Sequence, residues 1–340
     1  MAKRKTSRRS RGKTAQQQAA LNNLIRTLIG LAAALAAILG VNHYMGGPSP
    51  WEGLPVFDGS SSVSAPAASV PASSSAPSGS ASGETTTLRF LDVGQADATL
   101  IQQGSGFILI DAADSAHDEE LIHDLQAAGV QTIDLLIMTH PHADHIGAMA
   151  DVLETFTVKQ VLLPDFDKAP LPTTRTFEKV LEQIETQNIP TVTAEPGWTF
   201  TLGEGTLTVL GAGVETKNYN ELSIAGRFDS PDLTYLFTGD GESGVEQDLL
   251  DSGANLSAQV YKAGHHGSST SSGEKFLSYV RPQISIISCG VDNDYGHPDA
   301  ETLDKLNAIG AQIYRTDLQG TITVRRVNGQ LQVETEKEAA

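Results

Sequence analysis

Apolar and polar positions divide the 340-residue chain into three textures. Leu28 to Val41 reads LIGLAAALAAILGV, a run without a charge. Together with Leu24, Ile25 and Asn42 to Met45 it approaches the ~20 residues that span a bilayer as a helix. Residues 58–84, DGSSSVSAPAASVPASSSAPSGSASGE, hold almost no large apolar side chains. Such a stretch cannot bury enough surface to offset its ordering entropy, so a flexible tether is expected. From Thr86 onward short apolar runs alternate with turn residues.

That third texture predicts a dense series of elements. TLRFLDV, ATLIQQ and GFILIDAAD have strand patterning, and SAHDEELIHDLQAAGV has helical spacing with Ser115 as a plausible N-cap and Gly129 as its stop. IDLLIMTH is a continuous apolar run ending in a histidine, as a strand buried on both faces requires. ADHIGAMADVLETF and TRTFEKVLEQIETQN follow as helices on either side of the strand VKQVLLP. TLTVLGA, LSIAGRF and LTYLFTGD read as strands, ESGVEQDLLDSG as a helix, and SAQVYKAG, PQISIISCG and AQIYRTD as strands separated by the helices EKFLSYV and ETLDKLNAIG. GTITVRR and GQLQVETE close the chain as a hairpin. β meanders alternating with βα units predict an α/β sandwich with helices outside two sheets. The expected organisation is a basic N-terminus (1–23), a membrane segment (24–45), a Ser/Ala/Pro-rich linker (46–85) and a catalytic body (86–336).

Charge sharpens this division. Residues 1–45 carry eight Lys and Arg and no acid, so the remainder carries −26 within a total of −18. Basic residues ahead of the apolar segment place the N-terminus in the cytoplasm and the body outside, as a single-pass membrane protein. A cleaved signal peptide is the rival, although no convincing small-x-small site follows. The acidic body repels polyanions unless cations or local basic patches intervene. Cys289 is the only cysteine, which excludes a disulfide framework and a Cys-rich zinc site. Its apolar setting, ISIISC, reads as core packing.

Six of the nine histidines fall in three clusters: His140, His142 and His145; His265 and His266; and His297. THPHADHIG offers four potential ligands in six residues where a strand gives way to a helix: His140, His142, Asp144 and His145. Imidazole and carboxylate together suit a catalytic divalent metal, Zn²⁺ first and Mn²⁺ next. Two further strand ends, TGD with Asp240 and KAGHHG with His265 and His266, supply candidates for the same cleft. Asp111, ending ILIDAAD, is expected behind the ligands, orienting a histidine through its other ring nitrogen.

FLDVGQADATLI, THPHADHIG, TGDGES, KAGHHGSSTSS, YGHPD and YRTDLQGTI, in this order over about residues 86–328, resemble the metallo-β-lactamase superfamily. More closely, they resemble the hydrolase-like domain of ComEC-type competence proteins. The resemblance implies an αβ/βα sandwich, one or two metals between the sheets, and hydrolysis of a phosphodiester in nucleic acid. Carried over, His140 and His142 help hold one metal. Asp144, His145 and His265 hold the other, and Asp240 bridges them. Spacing does not separate His265 from His266; His265 is favoured. Many superfamily members add a histidine between the first cluster and the Gly-Asp strand. Here Asn218 or Asn220 stands there, so the His140/His142 site is expected to be the weaker. Ala96 replaces a usual glycine. Metal-activated water would attack phosphorus, Asp144 serving the metal-bound nucleophile. Ser268, Ser269 and amides after Gly267 would face the phosphoryl oxygens. His297 is the expected acid for the leaving oxygen or a substrate contact, and Asp92 and Asp97 are placed near the cleft.

The leading expectation is a surface phosphodiesterase or nuclease linked to DNA uptake or degradation, with nucleic acid and uptake machinery as partners. Two others remain: a hydrolase of a small ester, lactone or cell-wall phosphodiester, and a non-catalytic, metal-stabilised surface-binding module. Clustering of Lys262, Arg281, Arg315, Arg325 and Arg326 beside the metals would favour nucleic acid; dispersal would favour a small substrate.

Overall fold

The computed structural model describes residues 85–338. The expected basic N-terminus and membrane segment, and all but the last residue of the linker, lie outside the described residues. Among the described residues no helix is long and apolar enough to cross a membrane.

The chain opens with a meander, β1 (Thr86–Phe90), β2 (Thr99–Gln103) and β3 (Gly106–Ile110), followed by α1 (Asp118–Ala127). Then come β4 (Thr132–Ile133), β5 (Leu135–Ile137), α2 (Ala143–Ile146), α3 (Met149–Thr155), β6 (Thr157–Val158), β7 (Val161–Leu163), α4 (Arg175–Gln187) and β8 (Thr191–Thr193). The second half runs β9 (Thr199–Leu202), β10 (Gly205–Ala212), β11 (Ile224–Asp229), β12 (Thr234–Phe237), α5 (Ser243–Ser252), β13 (Val260–Lys262), α6 (Glu274–Val280) and β14 (Ile284–Ile287). It ends with α7 (Ala300–Ala308), β15 (Gln312–Arg315), α8 (Thr316–Gln319), β16 (Ile322–Val327) and β17 (Gln330–Thr335).

Two large sheets result, ordered β17-β16-β1-β2-β3-β5-β7-β8 and β15-β14-β13-β12-β11-β10-β9, with β4 and β6 forming a small separate pair. Their inner faces share one core that includes Leu88, Phe90, Ile108, Ile137, Phe228, Tyr235, Phe237 and Val260. Phe90 and Tyr235 bridge the sheets edge to face at 5.5 Å, a geometry the ring quadrupoles favour. A second core lies under α1, α3 and α4, and a third under α5, α6 and α7. This is the expected αβ/βα sandwich. In α4 the spacing of Phe177, Val180, Leu181 and Ile184 turns one stripe inward, and the Thr174 hydroxyl accepts from Phe177 N to cap it.

Several boundaries differ from the sequence reading. The first helix begins at Asp118, not after Ser115, because Asp114 Oδ1 accepts from Ala116 N and His117 N and holds those residues in a turn. The single helix expected across ADHIGAMADVLETF is two, α2 and α3. At the junction Gly147 N donates to Ala113 O, and the Gly147 Cα lies so near Ser115 N that a Cβ would sit 2.3 Å away. Cys289 is buried, and burial together with Asp317 pushes its thiol up to about 12, so it is an inert packing residue. Ala96 is fully buried in the helix-side core, which accommodates its methyl.

The parallel strands matter most for function. β3 and β5 run parallel in one sheet, and β12 and β13 run parallel in the other. Their carboxyl ends open on one edge of the sandwich, the usual position for ligand chemistry in such sheets.

Candidate metal centre

Each strand end delivers a side chain by a local distortion of the backbone. β3 leads into Asp111, at φ 58°; β12 leads to Gly239, at φ 53°, and then Asp240; beyond β13, His265 and His266 have φ 50° and 52°. Left-handed backbone at non-glycine residues costs on the order of 1 kcal/mol each and clusters at functional sites. Here it turns Asp111, His265 and His266 out of their strand directions.

The THPHADHIG turn runs from β5 into α2. His140 and His145 are fully buried. Asp111 ties the turn down: Oδ1 accepts from Thr139 N at 2.8 Å, and Oδ2 accepts from Thr139 Oγ1 at 2.7 Å and lies 2.7 Å from His145 Nδ1. Asp111 therefore sits behind His145 and leaves its Nε2 facing the cleft. His145 Nε2 lies 3.2 Å from Asp240 Oδ2, and His140 Nε2 lies 3.9 Å from the same oxygen. His140 Nε2 and His142 Nδ1 are 3.0 Å apart.

The adjacent histidines separate. His266 turns inward: its Nδ1 is held by Ser288 O at 3.0 Å, and its Nε2 is 3.4 Å from Asp144 Oδ2 and 3.5 Å from Asp240 Oδ2. His265 turns toward the cleft mouth, with Nδ1 3.0 Å from Thr270 Oγ1 and Nε2 3.3 Å from Asn220 Nδ2. His266, rather than the favoured His265, thus joins the Asp144–His145 side. His265 faces the His140–His142 side beside Asn220. Two successive left-handed residues cause the split, and histidine spacing carries no sign of it.

Asp97, His145, Asp240 and His266 each offer a donor atom within 4.8 Å of the others. We place Asp97 behind this group. Its Oδ2 is 2.5 Å from Lys262 Nζ, and its Oδ1 is 3.7 Å from Nδ1 of His266, the ring edge away from the cleft. Asp92 is not at the centre: its carboxylate meets Lys337 Nζ at 2.9 Å in a neighbouring groove. The donors expected after Gly267 are already engaged, Ser268 N with His265 O, Ser269 N with Asp299 Oδ2 and Thr270 N with Ser268 Oγ. Ser268 therefore braces the loop that carries His265. His297 stands on the cavity wall, its ring edge-on to His265 at 5.6 Å.

Nε2 of His145 and of His266, Oδ1 of Asp240 and Oδ1 of Asn220 are buried without a hydrogen-bond partner among the described residues. Orphaned buried polar atoms each cost about 1–3 kcal/mol. Imidazole nitrogens and carboxylate oxygens converging in this way suit a divalent cation, so the donor set fits a metal.

Residues 91–291, more than half of the chain, match the metallo-beta-lactamase superfamily. The chain belongs to the metallo-β-lactamase superfamily. Among curated proteins, this member is 30% identical over 258 residues to ComE operon protein 3 of Bacillus subtilis, covering 70% of this chain and 33% of that protein. It is 29% identical over 235 residues to competence protein ComA of Neisseria gonorrhoeae, covering 68% and 31%. The resemblance to ComEC-type proteins is thereby borne out, and the chain spans about a third of the length of these relatives. Among solved structures, CmlA, a diiron β-hydroxylase from Streptomyces venezuelae, has a TM-score of 0.50 at 14% identity, covering 72% of this chain and 55% of that one. At that identity the likeness concerns the fold alone.

Electrostatically, this metallo-β-lactamase-fold centre collects carboxylates around imidazoles. Burial opposes charge on His145, but Asp240 and Asp111 outweigh it and hold its pKa well above the usual value. His266 is likewise raised, by Asp240 and Asp97 against burial. Asp144 and Asp240 are held low against burial, Asp144 by His266 and His145, Asp240 by His145 and His266. His140 and His142 are lowered, chiefly by burial. Burial and the neighbouring His265 and His266 also lower His297.

Sequence reasoning missed Lys262 as a counter-ion of the centre; its signal was a lone charge in the apolar strand QVYKAG. It also missed Glu242, whose Oε1 accepts from Asn220 Nδ2 at 3.0 Å. A cavity of about 320 Å³ opens on the centre, bordered by Gln95, His142, Asn220, His265, Tyr295 and His297. The other basic candidates are dispersed: Arg315 pairs with Asp317, Arg325 with Glu334, Arg326 contacts Asp232 O and Gly329 O, and Arg281 caps α6.

Proposed function

We propose that this chain is a metal-dependent phosphodiesterase acting on nucleic acid through a site that admits one nucleotide unit. The supporting observation is the set of unpartnered His266, Asp240 and Asn220 atoms in residues lining a cavity of about 320 Å³, near the lower end of ligand-pocket sizes, with the unpartnered Nε2 of buried His145 3.2 Å from Asp240 Oδ2. Asp144, His145 and His266 would hold one divalent cation, and His140 and His142 a second, with Asp240 between them. His265 and Asn220 border the second, weaker position. Zn²⁺ fits the donors best, and Mn²⁺ is the alternative. A bound cation would supply Lewis-acid polarisation of the phosphoryl group and activation of water.

The chain's own residues would orient and enclose. Asp111 and Ser288 O fix the tautomers of His145 and His266. His297, whose pKa burial and the neighbouring His265 and His266 lower, suits a hydrogen bond to substrate better than storage of the leaving group's proton. The competence-named relatives support a link to DNA uptake. The basic head and apolar segment support a single-pass membrane anchor with the body outside.

The dispersed arginines favour a second reading, hydrolysis of a small ester or lactone. Purified chain with Mn²⁺ or Zn²⁺ should be given labelled single- and double-stranded DNA, an aryl phosphodiester and a lactone panel. Cleavage of phosphodiesters, lost in His142→Ala, is expected. Lactone or carboxylic ester turnover alone would replace the phosphodiesterase reading with the second.

A further inference from the structure

We infer that Tyr295 is a stacking platform for the nucleobase next to the scissile phosphate, so that the enzyme takes single-stranded nucleic acid and not duplex. The inference rests on the phosphodiesterase reading above. Tyr295 borders the catalytic cavity yet is 72% exposed, the most exposed of the large apolar side chains among the described residues. One face is already used: the ring stacks on His297 with centroids 5.7 Å apart and planes 22° from parallel. His297 in turn meets His265 edge-on at 5.6 Å. An aromatic column therefore rises from the centre to the surface, and its outermost ring is open to a ligand.

The supporting loop is braced. Asn293 Nδ2 donates to Gly290 O at 2.9 Å and to His297 O at 2.6 Å, and Asn293 Oδ1 accepts from His297 N at 3.0 Å. Binding would therefore order little new backbone, and stacking energy would be realised as affinity.

Charge selects the strand state. A groove of about 760 Å³ adjoins the cavity at Gln95; Glu119, Glu120, Asp124 and Glu336 line it together with Asp92, whose charge Lys337 offsets. The cavity lining itself contains no Lys or Arg. A duplex would bring a second phosphate backbone against this acidic surface without the cations that normally hold it. A single strand instead needs only its scissile phosphate at the centre and one base against an aromatic face. Base–aromatic stacking contributes about 1–3 kcal/mol and tolerates any base.

The test separates binding from turnover. Full-length chain with Mn²⁺ is titrated with a fluorescent, cleavage-resistant phosphorothioate single strand, and with the same strand made abasic, while turnover of an ordinary strand is followed separately. Tyr295→Ala should weaken binding of the intact strand about tenfold, Tyr295→Phe should restore it, and neither should change binding of the abasic strand. Wild type should bind duplex at least tenfold more weakly than single strand. Equal binding of intact and abasic strands by wild type, or an undiminished Tyr295→Ala, would overturn the stacking role even if turnover proceeds. Tyr295-dependent binding without turnover would retain the platform and remove the phosphodiesterase reading.

Discussion

Lys262 and Asp97 form a contact 2.5 Å long, with each side chain 4% exposed, directly behind His266 and Asp240. Replacing Lys262 with Met keeps the apolar stem and removes the charge. Asp97 is then left buried beside Asp111 and Asp240, whose fields already act on Lys262. Breaking a buried pair from one side typically costs about 3–5 kcal/mol, because the remaining charge is uncompensated. Asp97→Asn should cost less, about 1–2 kcal/mol, since Asp240 and Asp111 still neutralise the lysine. The double variant should recover at least about 2 kcal/mol of the summed losses, a coupling readable in a double-mutant cycle. Urea unfolding of the metal-free chain followed by circular dichroism measures all four proteins. A Lys262→Met loss under about 1 kcal/mol, or additive losses in the double variant, would refute the counter-ion role.

Cation affinity should rise with pH by more than about tenfold per unit while both His145 and His266, each held above the ordinary imidazole value, are protonated, because a ligating imidazole must lose its proton; flat affinity between pH 5.5 and 8 in metal titrations would contradict this. Glu246 is buried, and burial pushes its carboxyl up to about 7 although Ser272 N and Gly273 N donate to it. The folded pKa lies above the ordinary unfolded one, so this contribution to stability is present below about pH 4.5 and fades as pH rises through about 7. Wild type should lose on the order of 3 kcal/mol from this group between pH 5 and pH 9, and Glu246→Gln should flatten that slope; equal slopes would refute it. Gly147→Ala would place a Cβ 2.3 Å from Ser115 N and 2.4 Å from the Asp114 carbonyl carbon, and should cost about 3 kcal/mol. Gly129→Ala meets nothing within 4 Å and retains only the penalty of its φ of 84°, about 1 kcal/mol; equal melting temperatures for the two variants would contradict the steric account.

Strand ends made the centre legible in the chain. An apolar run that stops at TH, TGD or KAGHH announces a polar side chain at the edge of a buried sheet, and parallel neighbours bring such edges together. The direction of a side chain at a strand end is not written this way. His265 and His266 are indistinguishable in spacing and composition, and two left-handed residues send one ring to the floor and the other to the mouth. The Asp97–Lys262 pair joins positions far apart in sequence, so neither residue signals the other. Ser268 and Ser269 have the chemistry of anion donors, but a local turn to His265 O uses the first amide and the distant Asp299 carboxylate uses the second. Short elements such as β4 and β6, two residues each, pair for want of other partners and carry no periodicity.

The most direct measurement is the metal content of the purified chain after equilibration with Zn²⁺ or Mn²⁺ and removal of free ion. Two cations of unequal affinity are expected in wild type. His266→Ala should lose the tighter one, His265→Ala should keep it while the weaker is impaired, and Asp240→Asn should retain neither at stoichiometric ion. A wild-type chain that binds no divalent cation, or an Asp240→Asn variant that binds as wild type does, would contradict the account.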